Sequence, residues 1–250
     1  MLGLGANITK SAVKGADTWS TPADFGANLI AWYRKGATYM IKEGTSSPPT
    51  TQGEEIKMWD DQSIFSNDAE NTTSANLPQI DIDNDDGSLW LNHNNDFLHF
   101  TEITFAGEFA IYIKLLVETT INADMFMADK DATNKFWRIN DADELRGKFA
   151  GGAMKWIPYA SLSADTFYRI GLERDSSDLM TASTDGNNAA YDATSAYGSS
   201  AVNGTTFTFD QIGGGSTPGD MIGRIKEIVI VNRGLTIPER VYLDQYLQTL

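Results

Sequence analysis

The fold can be inferred from the C-terminal sequence Gly223-Arg-Ile-Lys-Glu-Ile-Val-Ile-Val-Asn-Arg-Gly-Leu-Thr-Ile-Pro-Glu-Arg240 and its continuation to Leu250. Residues 225–231 are apolar and β-branched apart from Lys226 and Glu227, which is typical of a short buried strand. Asn232-Arg-Gly234 follows, and Asn and Gly both tolerate the positive φ angles of a sharp turn. The sequence therefore predicts a core strand that ends in a turn.

A helix is predicted directly after this turn. Thr236-Ile-Pro-Glu239 has the form of a capping box, with proline in the first helical turn, where its missing N–H group costs nothing. Apolar side chains then recur at i, i+4 and i+7, at Leu243, Leu247 and Leu250, with Tyr246 beside them. This spacing gives the helix one apolar face, which has to pack against the rest of the fold. We assign Glu239 and Arg240 to the helix N-terminus and its surface.

The composition indicates a folded, strongly acidic chain. Of its 250 residues, 41% are hydrophobic and 11% aromatic, which is enough for a packed core. The formal charge of −15 argues against nucleic acid or an anionic membrane as a partner. There is no cysteine, so disulfides, thiolate metal sites and a cysteine nucleophile are excluded. The N-terminal sequence lacks the features of a signal peptide, so we expect synthesis in a cytoplasm without secretion.

Strand patterns separated by turn sequences account for most of the chain. About a dozen short strands and one terminal helix predict an all-β fold, a two-sheet antiparallel sandwich without an internal domain boundary. One hairpin is predicted at residues 79–92, around Asn84-Asp-Asp-Gly87, and another at residues 167–183. The first is not an EF-hand, because Asp86 and Asn92 occupy the positions that require Gly and Glu.

Two upstream sequences occur in a characteristic order before the closing strand and helix. The first is Leu29-Ile-Ala-Trp-Tyr-Arg34, and the second contains Trp59, Asp61, Ser63 and Asn67. Together these segments resemble laminin-G-like, concanavalin A-like jelly rolls, particularly those of tailed-phage virion proteins. Ile64 stands where such turns usually have glycine.

The resemblance implies one jelly-roll domain over residues 28–250, with Trp59 in the core and Asp and Asn side chains holding the turn. A calcium site is the alternative for this turn, since carboxylates and carbonyls suit that ion. Weak calcium binding is also the alternative for the acidic hairpin at residues 79–92; otherwise we expect no cofactor.

Residues 1–27 are rich in glycine and alanine and show no clear period. We favour an N-terminal arm laid on a neighbouring protein over one folded back on its own domain. The apolar residues expected to contact the partner are Met1, Leu2, Leu4, Ile8 and Val13.

The sequence contains no complete catalytic set. Laminarinase-type enzymes of this fold carry Glu-x-Asp-x-x-Glu on a strand, and the nearest match is Glu173-Arg-Asp175 followed by Asp178. Asp178 falls across a predicted turn, so we interpret these acids as a solvated hairpin tip. The only histidines, His93 and His99, are expected at strand edges and surface positions in structural roles. We therefore predict that the protein is not an enzyme.

Aromatic side chains are the other candidate functional feature. Trp137, Trp156 and Tyr159 lie in a polar, glycine-rich neighbourhood, and their rings could stack on sugars. The alternative is that the tryptophans belong to the core. The Ser-, Ala- and Gly-rich stretch 181–204 is either a binding loop or an exposed excursion between strands.

Two functional hypotheses follow, with an enzyme as the weakest third. The first is a structural protein of a tailed-phage virion, a capsid decoration or tail accessory component. It would dock through its N-terminal arm onto major capsid or tail proteins in a symmetric or homo-oligomeric assembly. The second is a carbohydrate-binding module that recognises a host surface glycan. The third is a glycoside hydrolase.

Overall fold

The computed structural model describes residues 19–84, 86–93, 95–118, 124–130, 132–141, 144–148, 155–158, 162–184, 199–201, 206–214 and 221–250. These residues form seventeen strands: β1 (Leu29–Arg34), β2 (Met40–Lys42), β3 (Ile56–Trp59), β4 (Ala69–Glu70), β5 (Gln79–Asp81), β6 (Ser88–Leu91), β7 (Phe97–Phe105), β8 (Phe109–Val117), β9 (Asp124–Asp129), β10 (Ala132–Asp141), β11 (Glu144–Lys148), β12 (Lys155–Pro158), β13 (Phe167–Arg174), β14 (Leu179–Thr184), β15 (Ser199–Ala201), β16 (Phe207–Gly213) and β17 (Gly223–Val231). A 3₁₀ segment spans Pro22–Asn28, two short 3₁₀ turns span Ala37–Tyr39 and Ser74–Asn76, and helix α1 spans Ile237–Gln248.

The strands form two antiparallel sheets that face each other. The first sheet has the order β15-β14-β13-β8-β17-β6-β5, with β1 also paired to β17. The second has the order β12-β11-β10-β9-β16-β7-β4-β3-β2. Apolar side chains from both sheets meet in one continuous core. The predicted all-β jelly-roll sandwich with a short C-terminal helix is confirmed.

The centre of the first sheet is the pair β8 and β17. All nine residues of β8 are buried, because one face lies in the core and the other lies beneath α1. The two strands run antiparallel with Ile113 opposite Ile228. Gly223 is the first residue of β17, and here β17 and β8 lie very close together. A Cβ atom on residue 223 would lie 2.0 Å from the Leu116 carbonyl oxygen.

Helix α1 begins as the sequence predicts. The Thr236 side chain caps the first turn, and the Thr236 backbone N–H donates to the Glu239 carboxylate at 2.8 Å. Leu243 and Leu247 are fully buried against the outer face of the first sheet. The buried apolar face therefore holds the helix in place.

Glu239 and Arg240 lie at the helix N-terminus as predicted, but their assignment to its exposed surface is wrong. Glu239 is only 9% exposed and forms two hydrogen bonds with the Arg233 guanidinium, at 2.9 and 2.7 Å. Arg240 reaches into the sheet and contacts Glu173, with Nε 2.9 Å and Nη2 2.8 Å from Oε2. Both residues join α1 to the sandwich, because Glu239 binds Arg233 in the turn after β17 and Arg240 binds Glu173 on β13.

The N-terminal segment is described only from residue 19. Phe25 is 4% exposed and packs in the same cluster as α1, and the Trp19 ring lies 5.4 Å from the Tyr242 ring. Residues 19–27 thus fold back on the sandwich, as in the alternative to a partner-bound arm. The predicted contact residues Met1, Leu2, Leu4, Ile8 and Val13 lie outside the described residues.

The turn between β3 and β4 is held by one carboxylate. Asp61 Oδ1 accepts hydrogen bonds from the backbone N–H groups of Trp32 and Ser63, at 2.7 and 2.9 Å. Asp61 Oδ2 accepts from the Ser63 hydroxyl at 2.6 Å and from Asn67 N–H at 2.9 Å. Trp59 is fully buried. The resemblance implied that Trp59 lies in the core and that Asp and Asn side chains hold the turn, and this structural role is confirmed. The Asp61 carboxylate, which a cation would need as a ligand, accepts four hydrogen bonds from the protein.

Both predicted hairpins are present. Strands β5 and β6 pair with Ile80 opposite Leu89, and the buried Asp81 carboxylate forms an ion pair with Arg224. Strands β13 and β14 pair around the turn that contains Asp178, whose φ angle is 60°.

Candidate functional site

The outward face of the second sheet carries a polar cleft. Along β7, Leu98 and Phe100 point into the core, while Phe97 and His99 point outward and are partly exposed. The cleft has a volume of about 430 Å³ and lies over β7, β4 and the segment after β4. Its lining residues are Asp68, Glu70, Asn71, Thr72, Thr73, Phe97, His99, Phe100 and Thr101. We call it the β4–β7 cleft.

Two stacked rings form an aromatic surface in the cleft. The centroids of Phe97 and His99 lie 4.5 Å apart, with 28° between the ring planes. His99 Nε2 lies 3.0 Å from the Oε1 atom of Gln211, a buried residue of the neighbouring strand β16. This contact ties the imidazole to the neighbouring strand. Glu70 stands directly opposite His99 on β4 and is exposed.

The side of the cleft is held in place by Asn71, which is only 5% exposed. Its Nδ2 donates to the carbonyl oxygens of Asn76 and Phe97, at 3.0 and 3.1 Å, and its Oδ1 accepts from Thr73 N–H at 2.8 Å. These bonds join the segment after β4 to β7. They fix the position of the Asn71 side chain at the side of the cleft.

Two buried acids lie further along the second sheet. Asp210 on β16 accepts a hydrogen bond from the Lys130 backbone N–H at 2.6 Å, and the Lys130 ammonium lies 3.2 Å from its other oxygen. Asp129 accepts from the Thr208 hydroxyl at 2.6 Å. These carboxylates are held by protein donors and connect β9 to β16.

A second cleft of about 410 Å³ lies at the edge of the sandwich, between β1 and β7. Phe65, which is 53% exposed, stands at its rim in the turn organised by Asp61. Asn67 joins this turn to β7, because its amide both donates to the Thr101 carbonyl and accepts from the Thr101 N–H, at 3.0 and 2.7 Å. Thr101 lines both clefts.

Of the three aromatic residues predicted to bind sugars, the structure describes the side chain of Trp137 alone, and it lies in the core. Trp137 is fully buried and its ring centroid lies 5.6 Å from that of Phe207, so its faces serve the core. Trp156 belongs to β12, but its side chain lies outside the described residues. Tyr159 also lies outside them, as does most of the predicted loop at residues 181–204.

The acids compared with a glycosidase motif lie in the other sheet. Glu173 is 7% exposed beneath α1, where it accepts a hydrogen bond from the Tyr112 hydroxyl at 2.6 Å and contacts Arg240. Burial raises the pKa of the Glu173 carboxyl, although Arg240 and Tyr112 oppose this shift. Asp175 accepts two backbone N–H groups in the turn. The interpretation as a solvated tip is wrong for Glu173, because α1 covers it.

Metal and membrane features can be judged only for the described part of the chain. Within it, no three His, Cys, Asp or Glu side chains are grouped so that they could hold a metal ion. Likewise, none of its helices combines the length and apolar character needed to cross a membrane.

The sequence interpretation placed His99 at a surface strand position but missed the cleft. The sequence does contain a signal for the aromatic pair. Phe97 and His99 are two residues apart, so a strand must point both rings to the same side. The partner Glu70 could not be found in this way, because its position depends on the register between β4 and β7.

No protein-family model and no curated protein matches the sequence. Solved structures do match its fold. The binding domain of Paraclostridial Mosquitocidal Protein 1 matches 92% of this chain with a TM-score of 0.56 and 14% identity, and this chain covers 53% of that one. Botulinum neurotoxin type C, whose cell entry depends on interaction with two ganglioside molecules, matches 91% with a TM-score of 0.58 and 12% identity; 53% of that chain is covered.

A third match is a domain of nearly the same extent as this chain. Domain 4 of AbnA, an extracellular arabinanase from Geobacillus stearothermophilus, was solved in complex with arabinotriose. It matches 87% of this chain with a TM-score of 0.57 and 14% identity, and 98% of that domain is covered. At these identities, the matches establish the shared β-sandwich fold.

Proposed function

We propose that this protein is a carbohydrate-binding module and that the β4–β7 cleft binds the glycan. The observation that carries the proposal is the stacked pair of Phe97 and His99 beside the exposed Glu70 carboxylate in a cleft of about 430 Å³. The apolar face of a sugar ring can lie on such an aromatic surface. Its hydroxyl groups can then donate to the carboxylate and to the neighbouring threonine hydroxyls.

The structural neighbours support the choice of ligand class. One was solved with an arabinose oligosaccharide, and another belongs to a toxin that interacts with gangliosides. We propose that the function is recognition without cleavage. The acid closest to the glycosidase pattern, Glu173, is buried in an ion pair with Arg240 on the other sheet.

The test is a glycan array followed by calorimetric titration of the best ligand. Phe97→Ala should weaken binding by about tenfold or more, because the stacking surface disappears. Phe65→Ala is the matched control, since it removes an exposed phenylalanine from the other cleft. Thermal melts should show that both variants fold. Equal affinity of the folded Phe97→Ala variant and the wild type would place the site elsewhere.

A virion location, with attachment to capsid or tail proteins in an oligomer, stays a proposal that rests on the sequence resemblance. It is compatible with glycan recognition on a virus surface. Docking through the N-terminal arm can be tested by deleting residues 1–18. The deletion should keep Trp19 and Phe25, because both pack on the sandwich. Particles that still incorporate this truncated protein would contradict docking through the arm.

A further inference from the structure

We propose that the β4–β7 cleft selects uncharged oligosaccharides and rejects glycans that carry a carboxylate, such as sialic acids and uronic acids. This inference rests on the proposed carbohydrate-binding function and names the class of glycan that the site accepts.

The charge of the cleft lining supports this selectivity. Among the described residues that line it, Asp68 and Glu70 are acidic and none is Lys or Arg. Asp68 Oδ1 accepts a hydrogen bond from Asp61 N–H at 2.8 Å, which fixes this carboxylate at the side of the cleft. A ligand carboxylate would meet two like charges in a chain whose formal charge is already −15.

The hydrogen-bonding groups of the cleft lead to the same conclusion. Carboxylates only accept, so Asp68 and Glu70 suit the hydroxyl donors of a neutral sugar. A ligand carboxylate also only accepts and would have to find donors among the threonine hydroxyls of the lining. Of the side chains in the lining, only His99 can become positively charged. The experiment below is therefore run at about pH 8, above the ordinary pKa of a free imidazole.

The size of the effect follows from Coulomb's law. Two like charges about 4 Å apart in a water-like dielectric weaken binding by about fivefold. Two carboxylates together should therefore disfavour an acidic ligand by about tenfold or more, and salt should reduce this ratio.

The experiment compares ligands that contain the same sugars with and without the carboxylate charge. The binding of trigalacturonic acid is measured against its methyl ester, and that of 3′-sialyllactose against its methyl ester, at about pH 8 and low salt. In each pair that binds, we expect the affinity of the neutral ligand to exceed that of the acidic ligand by about tenfold or more. Glu70→Gln should narrow this ratio by about threefold to fivefold, because one of the two repelling charges is removed.

Asp83→Asn is the matched control. Asp83 is an exposed acid of the β5–β6 hairpin in the other sheet, and it does not line the cleft. Its neutralisation removes the same formal charge and should leave the ratio unchanged. A ratio that narrows equally in both variants would mean that the net charge of the protein, rather than this cleft, causes the discrimination.

The outcomes separate the two proposals. If acidic and neutral members bind equally, or if the acidic member binds more tightly, the charge selectivity is refuted while carbohydrate binding stands. If no ligand in either pair and no glycan on the array binds, the proposed function itself fails, and the selectivity fails with it.

Discussion

Replacing Arg240 with leucine should destabilise the protein through the carboxylate that it leaves behind. In the folded protein, Arg240 contacts Glu173 through two nitrogens, Nε at 2.9 Å and Nη2 at 2.8 Å, beneath α1. Without the guanidinium, the 7% exposed carboxylate of Glu173 keeps the Tyr112 hydroxyl as its remaining described side-chain donor. Removing one partner of a buried ion pair typically costs about 3–5 kcal/mol. We expect a loss of that size in the free energy of unfolding.

Urea denaturation of four proteins would measure this effect: the wild type, Arg240→Leu, Glu173→Gln and the double variant. The double variant has no uncompensated charge, so it should recover about 1–3 kcal/mol relative to Arg240→Leu. Lys35→Ala is the comparison for a pair whose carboxylate is exposed. Its partner Asp86 is 87% exposed at the side chain, so the expected cost is about 0–1 kcal/mol.

The dependence on pH gives an independent check. Burial already raises the pKa of Glu173 above its ordinary value of 4.5, and Arg240 opposes this rise. Loss of Arg240 should raise this pKa further. A group whose pKa is raised on folding stabilises the protein below its unfolded pKa, and this stability is lost as the pH rises through the folded value. The cost of Arg240→Leu should thus grow from about pH 4 to pH 7. A cost that is independent of pH, or no larger than that of Lys35→Ala, would refute the reasoning.

Two further predictions concern other buried carboxylates. Asp61→Ala removes the acceptor of three backbone N–H groups and of the Ser63 hydroxyl. The free energy of unfolding measured in urea should fall by several kcal/mol. A loss below about 1 kcal/mol would contradict the structural role of Asp61 in this turn. Burial raises the pKa of Glu227, whose Oε1 accepts a 2.5 Å hydrogen bond from Trp32 Nε1 and another from the Tyr246 hydroxyl. The stabilisation that the protonated Glu227 carboxyl gives to the fold should be lost as the pH rises above about 4.5. In the wild type the urea midpoint should therefore fall between about pH 4 and pH 7, and Glu227→Gln should make this fall smaller. An unchanged dependence of the midpoint on pH would contradict this assignment.

The local parts of the fold could be predicted from the sequence, and the site could not. The capping box at Thr236 and Glu239 and the hairpin turn ending at Asp178 depend on neighbouring residues, and both are confirmed. The cleft depends on β4 pairing with β7 so that Glu70 meets His99, and these two residues lie 29 positions apart in the sequence. Trp137 was a candidate for sugar binding but is fully buried. The composition of its neighbourhood does not reveal which face of the strand a tryptophan occupies.

The outer faces of the two sheets are covered differently. On the outer face of the first sheet, α1 covers the polar groups: Lys114 donates to the Leu247 carbonyl at 3.0 Å, and Glu227 accepts from Tyr246. These two contacts join the helix to the sheet. On the second sheet, Phe97 and His99 stay partly exposed because no described helix covers them. The proposed glycan site therefore lies on the sheet that α1 leaves uncovered, where a ligand would not have to displace the helix.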